Sequence, residues 1–136
     1  VTDSAKIFAD GGSRGNPGPA GCGAVIIAND ETIAEISQYL GNTTNNVAEY
    51  TGLVLALERA KELGIPNIEV WMDSELVVKQ INGQYKVKHP GLIPLYQKAK
   101  ALAITFKSFK IGHVRREMNK LADKLANQAM DGAKAL

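Results

Sequence analysis

The order in which apolar periodicities change along the chain limits its fold more than any other feature. Lys6–Asp10 alternates with a period of two, Gly23–Ala28 is a β-branched apolar run, and residues 33–40 (IAEISQYL) follow an ANDET turn. A period of two sends successive side chains to opposite faces of a strand, so these segments read as three strands. Short turns between them make an antiparallel meander. Residues 42–66 then repeat their apolar positions at helical spacing, behind Thr and Asn caps and ahead of a stop at Gly64 and Pro66. Beyond lie a strand, NIEVWMD, ending on Asp73; a short helix, SELVVKQING, closed by Gly83; a further helix, LIPLYQKAKALAIT; and a last strand, FKSFKIGHV. Asn119 reads as the N-cap of a final helix through KLADKLANQAM, with the tail DGAKAL frayed.

This β-β-β-α-β-α-α-β-α order predicts an α/β fold with a five-stranded mixed sheet. Three strands are antiparallel, and two more, reached by helical crossovers, run parallel to the first, with helices covering the faces. A chain of 136 residues suits one domain over residues 1–136. No apolar run approaches the roughly 20 residues of a membrane span, and no signal-peptide core opens the chain, which predicts a soluble protein. The single cysteine, Cys22, has no internal disulfide partner, which fits a reducing, cytoplasmic setting. Helices that cover the sheet leave no exposed apolar stripe, so a monomer is expected. A net charge of +2 does not by itself identify a polyanionic partner.

The glycine-rich stretch after Asp10 (GGSRGNPGPAG) invites a phosphate-cradle reading. Two features count against it. No Gly-Lys-Ser/Thr ending is present, and the following CGAVIIA has strand character where dinucleotide and phosphate loops need a helix. Asp10 therefore needs another explanation.

Asp10 and Asp73 each end a strand of the parallel set, at the sheet edge where open α/β sheets place their chemistry. Taken singly, either is an ordinary turn former. Glu49 shares a helix face with Leu53, Ala56, Ala60 and Leu63, the side that packs on the sheet. Asp123 shares a face with Ala126 and Met130, one turn into the final helix. A first-turn Glu that complements the helix dipole and a solvated helix Asp are the ordinary readings. Two strand ends and two first turns can, however, meet in one cleft. Four carboxylates brought together repel and raise one another's pKa unless cations neutralise them. Oxygen donors of that hardness select Mg2+, with Mn2+ as substitute, over zinc. Two such ions about 4 Å apart can hold a phosphodiester for hydrolysis.

DGGSRGNPGPAGCGAVI, NTTNNVAEYTGLVLALE, DSELVVKQING and GHVRREMNKLADKLANQA, in this order, resemble ribonuclease H type 1 over nearly the whole chain. The resemblance implies a ribonuclease H-like fold and a metal-dependent endonuclease that hydrolyses the RNA strand of RNA/DNA hybrids, leaving 5′-phosphate and 3′-hydroxyl ends. It assigns metal binding to Asp10, Glu49, Asp73 and Asp123, the acids that the fold reading brings together. By the same resemblance Asn16, Asn45 and Asn46 contact 2′-hydroxyls and base edges, with the backbone at Gly11 close to the duplex. A short amide can donate to and accept from the 2′-OH exposed in a wide minor groove. His113 resembles the family's mobile histidine, with a role in proton transfer or product release; the ordinary alternative is a strand-end histidine with no catalytic part.

The chain departs from the larger bacterial pattern in two places. Only QYKVKHPG stands where those members carry a basic protrusion, leaving Lys86 and Lys88 as a small remnant for phosphate contacts. Asn42 replaces an arginine of a DNA-phosphate pocket whose Thr44 is kept, and Arg14, Arg115 and Arg116 are candidates to compensate. Relaxed specificity toward double-stranded RNA or DNA junctions, and a non-catalytic hybrid-binding module, are the competing readings.

Overall fold

The hairpin between the second and third strands turns on Asn29 and Asp30, both in the left-handed region at φ 53° and 63°. Short polar side chains tolerate this conformation, and two such residues supply the twist that joins adjacent antiparallel strands. The computed structural model describes residues 2–134. Its elements are β1 (Ser4–Ser13), β2 (Gly18–Ala28), β3 (Glu31–Thr43), α1 (Asn45–Glu62), β4 (Asn67–Met72), α2 (Glu75–Ile81), α3 (Ile93–Ala103), β5 (Ser108–His113) and α4 (Lys120–Lys134). A single 3₁₀ turn, Arg116–Met118, precedes α4.

The element order is the predicted one, and the sheet is five-stranded in the order β3-β2-β1-β4-β5. β1 pairs antiparallel with β2 and parallel with β4, and β4 pairs parallel with β5. The central β1 therefore has a partner on both sides, and its end and the end of β4 emerge together.

Several boundaries differ from the sequence expectation. β1 continues past Asp10, because Gly11, Gly12 and Ser13 pair with Cys22, Gly21 and Ala20 of β2. Glycine is a poor strand former, but the extended hairpin ladder overrides that preference here. β4 stops at Met72, so Asp73 stands just beyond the strand and Ser74 caps α2 by accepting from Val77 N at 3.3 Å. α4 runs through Lys134, so residues 131–134 of the tail expected to fray are helical; the last two residues lie outside the described ones.

Asn119 does not cap α4 with its side chain as its position predicts. Its amide instead points inward and donates to Ala9 O and Asp73 Oδ1, at 2.9 and 3.0 Å. Leu63 also leaves the predicted stripe: Leu53, Ala56 and Ala60 are buried, whereas Leu63 is exposed as the C-cap of α1.

The main core fills the space between one face of the sheet and α1, α2 and α3, with Ile7, Ile26, Val70 and Ile111 from the strands. Tyr50, Leu53 and Leu57 of α1 meet them. On the opposite face α4 buries Ala122, Ala126 and Met130.

Glycines set how closely these helices sit. A Cβ on Gly11 would collide with the Ala48 carbonyl of α1, one on Gly52 would lie 2.6 Å from Asp10 O, and one on Gly23 would lie 2.5 Å from Ala122 O of α4. Side-chain-free backbone at these points draws α1 against the end of β1 and the first turn of α4 against β2, where Gly23 pairs with Asp10. The helices do not cover the second face completely. Met118 and Leu121 stay exposed beside Phe8 and Ile27, around a hollow of about 280 Å³.

Candidate active site

The close approach of α1 and α4 to β1 carries their acids to the place where β1 and β4 end. Asp10, Glu49, Asp73 and Asp123 line a single cleft of about 260 Å³, together with Asn45, Arg116 and Asn127. Asp10 and Glu49 are buried, while Asp73 and Asp123 are partly open.

Each acid is held by a different local device. Gly11 N donates to Asp10 Oδ1 at 2.8 Å. Asn45 Nδ2, one turn before Glu49 on α1, donates to Glu49 Oε1 at 3.2 Å. Asn119 holds Asp73, and Arg116 Nη2 stands 3.9 Å from Asp123 Oδ1. The Arg116 side chain is 80% exposed, so solvent screens that ion pair and little stability follows from it.

Burial pushes the Asp10 carboxyl up to about 8, and the charges of Asp73 and Asp123 add to the shift against the Gly11 hydrogen bond. Burial also raises Glu49, to about 7, with Asp73 adding and a hydrogen bond from Ser74 opposing. A protein left to itself therefore protonates part of this cluster near neutral pH. A cation bound among the four would reverse the balance, since it favours the charged form of every one.

The donor set fits hard divalent cations: all its ligating groups are carboxylate oxygens, and the cleft is polar and open on one side. Among the described residues no three acidic, His or Cys side chains already close into a cage. Mg2+ needs no closed protein cage, since it keeps several of its waters and binds through one or two carboxylates. Cys22 lies under α1 and is buried, and burial pushes its thiol up to about 12, so it is inert packing.

The residues expected to contact nucleic acid divide between two places. Asn16, Thr44, Asn46, Lys86, Lys88 and His89 line a separate hollow of about 410 Å³. Asn45, adjacent in sequence to Asn46, faces the acid cleft instead, where its oxygen accepts from Ser13 N at 3.2 Å. Its backbone N donates to Asn16 Oδ1 at 3.0 Å, so the glycine loop and the head of α1 are tied together. The glycine at position 11 is required by the contact with Ala48, inside the molecule, whatever the duplex needs. Arg14 is drawn onto α4, paired with Asp131 and close to Asn127.

His113 closes β5 opposite Met72 and is exposed, outside the lining of both hollows. The inward role of Asn119 was not apparent from sequence, where it reads as a helix cap. A polar residue four positions before a site acid, followed by alanine on the packed face, is the signal that could have marked Asn119.

Residues 8–129 match a family described as reverse transcriptase-like. The chain is similar to the bifunctional protein Rv2228c of Mycobacterium tuberculosis, 54% identical over 129 residues that cover 93% of this chain and 35% of that protein. It therefore spans about a third of that relative's length. The structure of that relative's N-terminal RNase H domain superimposes with a TM-score of 0.92 at 52% identity, covering 94% of this chain and 99% of the other. Ribonuclease HI of Halobacterium salinarum is 44% identical over 93% of this chain and 64% of its own length. LC11-RNase H1, solved in complex with an RNA/DNA hybrid, aligns with a TM-score of 0.90 at 44% identity, covering 95% of this chain and 98% of that one. With the parallel β1–β4 pair delivering Asp10 and Asp73 to the acids of α1 and α4, these likenesses establish that the chain belongs to the ribonuclease H type 1 family.

Proposed function

We propose that the chain is an endonuclease that hydrolyses the RNA strand of RNA/DNA hybrids, leaving 5′-phosphate and 3′-hydroxyl ends. The observation that carries this reading is the meeting of four carboxylates in one cleft, two of them forced toward neutrality by burial and by their neighbours. Asp10, Glu49, Asp73 and Asp123 would hold two Mg2+ ions, or Mn2+ in their place. When bound, the ions supply activation of water and stabilisation of the charge that develops on the leaving oxygen.

The protein's own groups do the positioning. The carboxylates, fixed by Gly11, Asn45 and Asn119, set the geometry of the cleft before substrate arrives. Asn16 and Asn46 face the hollow that Lys86 and Lys88 also line, which supports a track for the duplex leading away from the acids. There the amides would read 2′-hydroxyls in the minor groove, and the lysines would neutralise backbone phosphates. Thr44, at the same hollow, fits a phosphate contact. His113 sits on a strand end free to move a proton or assist departure of product.

Among the described residues no helix is long and apolar enough to cross a membrane. A catalytic unit over residues 1–136, acting as a monomer in the cytoplasm, is part of the same proposal.

Incubation of the protein and an Asp10→Asn variant with a labelled RNA/DNA hybrid, with Mg2+, Mn2+ or chelator, tests the reading. Cutting of the RNA strand that needs the metal and vanishes in the variant is expected. Matched double-stranded RNA run beside it reports whether Asn42, in place of arginine, relaxes specificity. A folded protein that cuts neither duplex would sink the nuclease reading.

A further inference from the structure

We propose that Asn119 is a positioning residue that sets the separation of three of the site's carboxylates, a role that rests on the ribonuclease reading above. The residue is 1% exposed, so it cannot meet a duplex directly. Its two amide hydrogens go to Ala9 O, immediately before Asp10 on β1, and to Asp73 Oδ1, just past β4. Its backbone oxygen accepts from Asp123 N at 3.1 Å in the first turn of α4. One side chain and its own carbonyl thus join the chain segments that carry Asp10, Asp73 and Asp123.

The chemistry of the position admits few substitutes. Both groups facing the amide nitrogen are acceptors, so the reversed amide would set oxygen against two oxygens; the network fixes the orientation. An aspartate would face Asp73 with like charge, and an alanine would remove the donor to Ala9 O and leave Asp73 Oδ1 to solvent. Asn119 Oδ1, in turn, is buried with no partner. A buried polar atom left unsatisfied is rare and costly, and in a native structure it calls for an explanation. Here the gain is on the nitrogen side: a neutral double donor holds a carboxylate without neutralising it, which leaves its charge for a cation. Partners that orient metal ligands in this way affect metal affinity or activity by about 10- to 100-fold when removed.

The test uses Asn119→Ala and Asn119→Asp, with folding checked by circular dichroism. Calorimetric titration with Mg2+ and Mn2+, without nucleic acid, is expected to show affinity weakened about 10-fold or more in both. With hybrid, kcat should fall by a similar factor and the half-saturating Mg2+ concentration should rise, while KM for the hybrid stays within about twofold, because Asn119 does not reach it. A purely structural role would lower the melting temperature and leave the Mg2+ dependence of the folded fraction unchanged; that result overturns the proposal.

Should neither variant fold, the wild type decides. The side-chain amide resonances of Asn119, followed by NMR as Mg2+ is added, are expected to move with the backbone amides of Gly11 and Asp73. Resonances that stay fixed while those amides move would overturn the brace. A wild type that binds Mg2+ but cuts no hybrid would count against the nuclease reading alone, since the titrations need no substrate.

Discussion

Asn45 Nδ2 lies 3.2 Å from Glu49 Oε1 while Asn45 Oδ1 accepts from Ser13 N, so one amide links the β1 end to a buried acid of α1. Both halves of the amide are engaged within the protein before any duplex arrives. Its first task is therefore to hold Glu49, and any contact with a 2′-hydroxyl has to share those hydrogen bonds or displace them. Asn45→Ala should lower turnover about 10-fold, on the scale expected when a ligand loses its orienting partner. Asn46→Ala should instead raise KM for the hybrid and spare kcat, because Asn46 faces the second hollow. Steady-state kinetics on the two variants separates these tasks; equal effects on KM alone would refute the division.

The acid cluster makes a signed prediction about pH. The Asp10 carboxyl is raised from an ordinary value of 3.8 to about 8 in the folded protein. A raised acid binds more protons folded than unfolded, so its contribution to stability is present at low pH and lost as pH rises through the folded value. Without divalent metal, stability due to Asp10 should therefore fall between about pH 4 and pH 8, and Glu49, raised to about 7, adds in the same direction. Asp10→Asn removes the charge, so the variant should be more stable than wild type near pH 8 in chelator and lose that advantage near pH 4. Mg2+ should stabilise the wild type most at the alkaline end, since ligands must be deprotonated to bind it. Melting temperatures across this range, with chelator and with Mg2+, check both statements. A metal-free wild type that gains on Asp10→Asn as pH rises would fail this test.

The same substitution should remove catalysis. Loss of a ligand from a centre that supplies several kcal/mol of charge stabilisation lowers turnover by on the order of 10²- to 10³-fold or more. An Asp10→Asn protein that is more stable at pH 8 yet inactive would display a site strained for function, and a single melting curve beside a single-turnover assay reads both.

Gly23→Ala tests how the site is brought together. The added methyl would lie 2.5 Å from Ala122 O and 2.6 Å from Ala126 N, both backbone atoms that cannot swing away. Overpacking of this kind costs about 1–3 kcal/mol, readable as a lower urea midpoint with an unchanged m-value. Because the displaced element is α4, Asp123 should move with it and activity should fall further than the loss of folded protein explains. Gly64→Ala is the control: no atom lies within 4 Å of the added methyl, only the positive φ of 73° resists it, and the acid cleft should be untouched.

Much of this arrangement was legible in the sequence because the relevant signals are local. Alternation over Lys6–Asp10, the caps and stop around α1, and the apolar face behind Glu49 each depend on neighbours within a few residues. The acids followed, since strand ends and first helical turns have predictable places at a sheet edge. What stayed hidden depends on contacts between distant segments. Asn119 finds Ala9 across 110 residues and Asp73 across 46, and nothing within KLAD distinguishes that role from a cap. The β1–β2 ladder through Gly11–Ser13 likewise depends on the pairing partner, because glycine by itself disfavours a strand. Asn45 and Asn46 read alike as neighbours, and only the helix geometry turns them to different clefts.

The hollow beside the site makes the last prediction one about salt. Lys86 and Lys88 are exposed and line it with Asn16 and Thr44, with no acid among the lining residues to pair with them. If each lysine neutralises one phosphate, binding releases its counterion, and the slope of log affinity against log salt changes by about 0.9 per contact on a DNA-like duplex. Lys86→Ala and Lys88→Ala should each weaken hybrid binding at low salt and flatten that slope by about one, without changing kcat at saturating hybrid. Binding is best measured in chelator, so that the acids and their metals do not enter. With each lysine on its own phosphate, the two effects should add. A double variant with an unchanged salt slope would mean that the duplex runs elsewhere, and that the cations at this hollow serve only solubility.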